Sequence, residues 1–172
     1  MEQKRIGKQI ILYRGLGFHQ VLVFLTGFNM AAIKHYLIIK TSPVKVYEAI
    51  TTKSGISCWW TNQTEIGNKV SDINVFNFGE KYHNEMKIKD LQPNKRVVWE
   101  CIEGDKEWIG TSIIFELEEK NGNTILRFTH GNWREETDFF ASCNYNWGYY
   151  MKSLANYCEN GEGTPFREED FQ

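Results

Sequence analysis

The sequence predicts an α+β domain in which a curved antiparallel sheet wraps around one long C-terminal helix, with two short helices after the first strand. Three observations predict it. Between Ile73 and His130 apolar and polar residues alternate in run after run, the period of half-buried strands. From Asp138 to Asn160 the apolar residues recur instead at three- and four-residue steps, the period of a helix with one apolar face. A sheet with a single apolar face must cover it, and this helix carries the only long apolar stripe available. Strand twist lets the sheet curl about it.

Taken in order, Lys34 to Lys40 reads as the first strand. Ser42-Pro43 then starts a helix, with Ser able to cap free N–H groups and Pro suited to the first helical position. That helix runs to about Thr52. Gly55 breaks it, and Ile56 to Trp60 forms a short second helical turn. Period-two signals begin at Thr64. Ile73 to Gly79 places Phe76 and Phe78 on one face, and Glu85 to Leu91 does the same with Met86 and Ile88. After the Pro93-Asn94 turn, Arg96 to Glu103 aligns Val97, Trp99 and Cys101. Ile109 to Glu118 aligns Ile113, Phe115 and Leu117, and Asn121-Gly122-Asn123 is a hairpin turn. Thr124 to His130 aligns Leu126, Phe128 and His130. These are four or five antiparallel strands. The last helix puts Phe140, Cys143, Trp147, Tyr150, Met151, Leu154 and Cys158 on one stripe, with Asp138 as its expected N-cap and Asn160-Gly161 as its stop.

The 172 residues suit one domain with a sizeable core. A net charge of −2 implies no general nucleic-acid binding. Aromatic residues reach 15%, an excess to be housed on the inward faces. Cys58, Cys101, Cys143 and Cys158 show neither C-x-x-C nor zinc-site spacing with a His, so they read as buried free thiols of a reducing, cytoplasmic compartment. Residues 1–30 carry a net charge of +3 against −5 for the rest, and include the apolar run Val21 to Phe28. That run is too short to span a bilayer. A spurious or disordered extension, an amphipathic anchor and a cleaved signal are three readings of the segment; the first is preferred, with Met30 as the start of the ordered pattern. The domain is expected over residues 31–166, with a loose polar tail at 167–172.

In this order and spacing, several stretches match a known family. They are Ser42-Pro43 with Val46-Tyr47-Glu48-Ala49-Ile50-Thr51, then Trp59-Trp60, then Pro93 with Arg96-Val97-Val98-Trp99. Gly110-Thr111 leads to Phe115-Glu116-Leu117-Glu118, Thr124-x-Leu126 to Thr129-His130-Gly131, and Trp147-Gly148 precedes Leu154 and Gly161. Over residues 34–166 the chain resembles the START-like (SRPBCC) superfamily of helix-grip, or Bet v-like, folds. Within it the chain is similar to the C-terminal domain of activators of the ninety-kilodalton heat-shock chaperone's ATPase (the AHSA type) and to their small bacterial relatives. The resemblance implies a fold shared by lipid and hormone carriers, polyketide aromatase/cyclases and co-chaperone domains. Residues 1–33 are too few to supply the separate N-terminal domain of the eukaryotic co-chaperones.

No catalytic signature is present: G-x-S-x-G, H-E-x-x-H, the phosphate-binding P-loop and G-x-G-x-x-G are all missing. No cofactor is implied. Trp60, Phe76, Phe78, Trp99, Phe115, Phe128, Trp147 and Met151 fall on inward faces, where they either fill the core or wall a cavity for an apolar ligand. His130 and Tyr150 would anchor a polar end of that ligand. His130, paired with Tyr150 or Asn146, is also the one weak candidate for acid–base chemistry. Glu80, His83 and Glu85 lie close in sequence, but a solvent-facing hairpin tip is the preferred reading and no metal site is expected. Glu103, Asp105 and Glu107 form an acidic loop beside Trp108, which is expected to be exposed and available to a protein partner.

The sequence therefore predicts a non-catalytic carrier of a small hydrophobic or aromatic ligand, as a monomer or homodimer. A chaperone-ATPase-activating stress protein and a cyclase, aromatase or dehydratase using His130 are the alternatives.

Overall fold

The computed structural model describes residues 30–171. The readings made above for residues 1–29 lie outside the described residues. Strand β1 (Ala31–Ile39) leads into helices α1 (Pro43–Thr51) and α2 (Lys53–Trp59). Six strands follow: β2 (Gln63–Glu65), β3 (Ile73–Phe78), β4 (Tyr82–Gln92), β5 (Arg96–Glu103), β6 (Ser112–Lys120) and β7 (Asn123–Trp133). Helix α3 (Asp138–Asn160) closes the domain, and a single 3-10 turn (Glu168–Phe171) ends the described chain. All neighbours are antiparallel, in the order β1-β7-β6-β5-β4-β3-β2.

The alternation places side chains as the sequence implies. Phe76, Met86, Ile88, Val97, Trp99, Cys101, Ile113, Phe115, Leu126, Phe128 and His130 are all buried on the concave face. The α3 stripe meets them with Cys143, Trp147, Tyr150, Met151, Leu154 and Cys158 buried, and Phe140 half-buried. The sheet thus grips α3 and removes both apolar faces from water, roughly 25 cal/mol for each Å². Among the described residues no helix is long and apolar enough to cross a membrane.

The differences are local. Ser42 precedes Pro43 at the start of α1 but makes no side-chain capping bond. The α3 N-cap is Thr137 rather than Asp138: the Thr137 hydroxyl accepts from the Phe140 N–H at 3.1 Å. Both types can cap, and only the extended backbone at Thr137 decides between them. The sixth strand begins at Ser112, because residues 104–111 form a loop that Asp105 organises by accepting from the Glu107 N–H at 2.8 Å. The last residues of the expected domain, 164 and 166, are tied to α2 and α3. The Phe166 N–H donates to the Trp60 carbonyl at 2.8 Å, and Ser153 of α3 donates to the Trp59 carbonyl while accepting from the Thr164 N–H. Gly161 ends α3 in the left-handed conformation at φ 81°. Gly163 then passes so close to α2 that a Cβ there would lie 2.0 Å from the Cys58 carbonyl oxygen.

Candidate functional site

The space between sheet and helix is divided. In its closed part Trp99 and Phe115 meet edge-on at 5.2 Å, as do Phe115 and Phe128, and Trp60 fills the gap between Phe76 and Trp147. Phe76, Trp99, Phe115, Phe128 and Met151 are between 0 and 1% exposed. Five of the residues expected to wall a cavity therefore form solid core. Interdigitating rings leave no free face for a ligand there.

Toward the β3–β4 turn the packing opens into a cleft of about 560 Å³. Of the expected wall, Trp60, Phe78, Trp147 and Tyr150 line it, and so does Asn146. Four further aromatic residues line it: Tyr82 from the start of β4, Trp108 from the β5–β6 loop, Phe139 from the first turn of α3 and Phe166 from the tail. Sequence periodicity misses these because they sit at a strand's first residue, in a loop, off the main helix stripe or in the tail. Trp108 corrects the expectation of an exposed side chain. It is half-buried, its indole N–H donates to the Cys143 thiol at 3.3 Å, and its ring lies parallel to that of Trp147 at 6.2 Å. Glu80, Lys81, Asp105 and Glu168 stand at the rim.

Behind the cleft lies a buried polar relay centred on His130. The Trp147 indole N–H donates to His130 Nδ1 at 3.0 Å. Indole nitrogen can only donate, so Nδ1 is the acceptor and the imidazole proton sits on Nε2. That proton faces the Thr111 hydroxyl at 2.8 Å, and Thr111 in turn donates to the Trp108 carbonyl at 2.6 Å. Both ring nitrogens of His130, the Thr111 hydroxyl and the Trp147 indole N–H are thus paired, and His130 is 0% exposed. Burial away from water pushes its pKa down to about 3. A proton arriving at Nδ1 would set two N–H groups against each other. The arrangement locks one neutral tautomer, holds the Trp147 ring and the Thr111 loop in place, and leaves His130 with no free nitrogen to offer a ligand or to use as a base.

The thiols are similarly quiet. Burial raises Cys143, at the cleft, and Cys101 to about 11, and Cys158 to about 12. All four cysteines are free; three are buried and Cys58 is partly exposed. Glu80, His83 and Glu85 do not converge. Glu80 stands at the cleft rim, whereas His83 and Glu85 project from the opposite face of the sheet beside Glu103. Of the acidic loop, Glu107 accepts from the Thr137 hydroxyl at 2.5 Å, which ties the loop to the start of α3.

The family model "Activator of Hsp90 ATPase homolog 1-like protein" matches residues 40–159. The solution structure of the Aha1 dimer from Colwellia psychrerythraea is 40% identical, covers 78% of this chain and 100% of its own, and superposes with a TM-score of 0.72. A Mesorhizobium loti protein (16% identity, 73% of this chain and 95% of its own, TM-score 0.66) shares the fold, as does one from Staphylococcus saprophyticus (16%, 78% and 96%, 0.65). No curated protein matches the chain.

Proposed function

Because the chain belongs to the family of Activator of Hsp90 ATPase homolog 1-like proteins, whose helix-grip fold it shares, we propose that it is a non-catalytic binding domain whose open cleft takes a small hydrophobic or aromatic ligand. The observation that carries this reading is the aromatic wall of the 560 Å³ cleft, with Phe78, Trp108, Phe139 and Phe166 only half-buried. Clefts of this size and lining suit a small apolar molecule. Three rim carboxylates against one ammonium favour a ligand whose polar end is neutral or cationic. The committed state of His130 and the raised thiols support binding over covalent or acid–base chemistry.

Native mass spectrometry of the full chain, purified gently from its own host, tests the proposal. A mass excess of a few hundred daltons (roughly what such a cleft holds) that vanishes on denaturation is the expected result. A clean apo mass, with no quenching of tryptophan fluorescence by added apolar probes, would sink it.

The family match favours a second reading, in which the domain contacts a chaperone ATPase. Purified chain that neither co-purifies with a chaperone nor changes its ATPase rate would remove that reading. The relative described as a dimer supports a homodimer here as well; light scattering that returns a single chain mass at micromolar concentration would argue against it.

A further inference from the structure

The convex face of the sheet, opposite the cleft, carries a group of metal-ligating side chains that the binding proposal does not use. His83 and Glu85 lie two residues apart on β4 and project from one face. Regular pairing would set Ile102 of β5 opposite Glu85 and turn Glu103 inward. A bulge prevents this: Met86 pairs with Cys101 but Glu85 pairs with Glu103, so Ile102 is the extra residue. Glu103 thereby joins the other two, and one ligand atom from each residue lies within 4.8 Å of the others.

The group is not explained as a salt-bridge network. Carboxylates directly opposite one another on neighbouring strands repel. Among the described residues neither Glu85 nor Glu103 has a Lys or Arg partner, although nearby Glu100 is paired with Lys89 at 2.8 Å. The imidazole is also oriented. His83 Nδ1 lies 2.7 Å from the Asn77 side-chain oxygen, which can only accept, so Nδ1 carries a proton. The other ring nitrogen, Nε2, lies 3.7 Å from Glu85 Oε1, beyond hydrogen-bond range. A nitrogen and two carboxylates thus point at common space, while the far ring N–H is held by a second-layer oxygen. Metal-binding histidines are held in this way.

We propose that His83, Glu85 and Glu103 bind one divalent cation of the zinc class, with water in the remaining position. An imidazole with two carboxylates suits Zn²⁺ better than Mg²⁺ or Ca²⁺, which favour all-oxygen sites. Ligand atoms around one tetrahedral zinc sit roughly 3.3 Å apart, so closing the group requires only rotation of surface side chains. Their exposure, 45% for His83 and 29% for Glu85, gives an ion direct access. A bound ion would pin β4 to β5 across the bulge, where β5 enters the loop that carries Asp105 and Trp108 to the cleft.

Isothermal titration of the metal-free full chain with Zn²⁺ alone tests this. The expected result is saturable one-to-one binding that weakens about tenfold or more in His83→Gln and in Glu103→Gln, and about tenfold in Asn77→Ala. Zinc should also raise the melting temperature of the native chain and leave that of His83→Gln unchanged. Absence of one-to-one binding, or native affinity retained in His83→Gln or Glu103→Gln, overturns the proposal. Neither result bears on the cleft ligand, which the mass measurement reads separately.

Discussion

The two parts of the space between sheet and helix are built from the same kind of side chain and end differently. In the closed part, Trp99, Phe115 and Phe128 come from adjacent strands in continuous register and are sealed by the middle of α3. In the open part, Phe78 ends a strand, Trp108 comes from a loop and Phe166 from the tail. Ladder hydrogen bonds dictate how rings interdigitate in the first case. In the second, turns and chain termini hold the rings apart. An inward-facing aromatic residue is therefore core or cleft wall according to what holds its backbone, not according to its face.

The largest expected effect lies in the closed part. Phe115→Ala removes a ring that touches both Trp99 and Phe128 edge-on and leaves a void that strand pairing keeps from collapsing. It should cost about 3–5 kcal/mol in urea unfolding and leave the cleft ligand bound in the fraction that stays folded. A loss below about 1 kcal/mol would mean that this part is not close-packed, and the contrast between the two parts would disappear.

The relay at their boundary comes next. The folded-state pKa of His130 is about 3 against the ordinary histidine value of 6.5, so between those values the unfolded chain binds the extra proton. The stability that neutral His130 brings is thus fully present above pH 6.5. It falls by about 1.4 kcal/mol per pH unit as the pH drops toward 3. Urea titrations at pH 7, 5.5 and 4.5 on the native protein and on His130→Gln should show the variant losing less stability with acid. Parallel pH dependences in the two proteins would show that His130 takes up its proton while folded, and the locked relay would be wrong.

These two cases mark how far the sequence can be read. The sheet, the helix stripe and the inward placement of His130 follow from local periodicity, since period two and period 3.6 each specify a face. The partners of His130 do not. Thr111 reaches it only through the loop that Asp105 organises, and Trp147 only through the crossing of α3 over β7. Trp108 looks exposed among Glu103, Asp105 and Glu107, yet its indole finds Cys143, 35 residues away. Glu103 is read as a solvated loop residue because a bulge at Ile102, which alternation cannot show, turns it toward His83 and Glu85. Phe166 follows a proline and precedes a charged tail, so nothing local marks it as part of the cleft wall.

Phe166 also provides the smallest and most discriminating test. Its ring meets Phe78 edge-on at 5.5 Å across the cleft, while its backbone N–H holds the Trp60 carbonyl whatever the side chain. Phe166→Ala should therefore keep the tail docked and cost about 1 kcal/mol or less, the value of a half-buried ring at the surface. It should nevertheless lose the ligand mass in native spectra, because one aromatic wall is gone and the cleft opens further to water. Phe115→Ala reverses the pattern, with a large loss of stability and a retained ligand. If Phe166→Ala instead held its ligand while Phe115→Ala released it, the binding space would lie within the closed part, reached by a rearrangement of the packed rings rather than through the cleft.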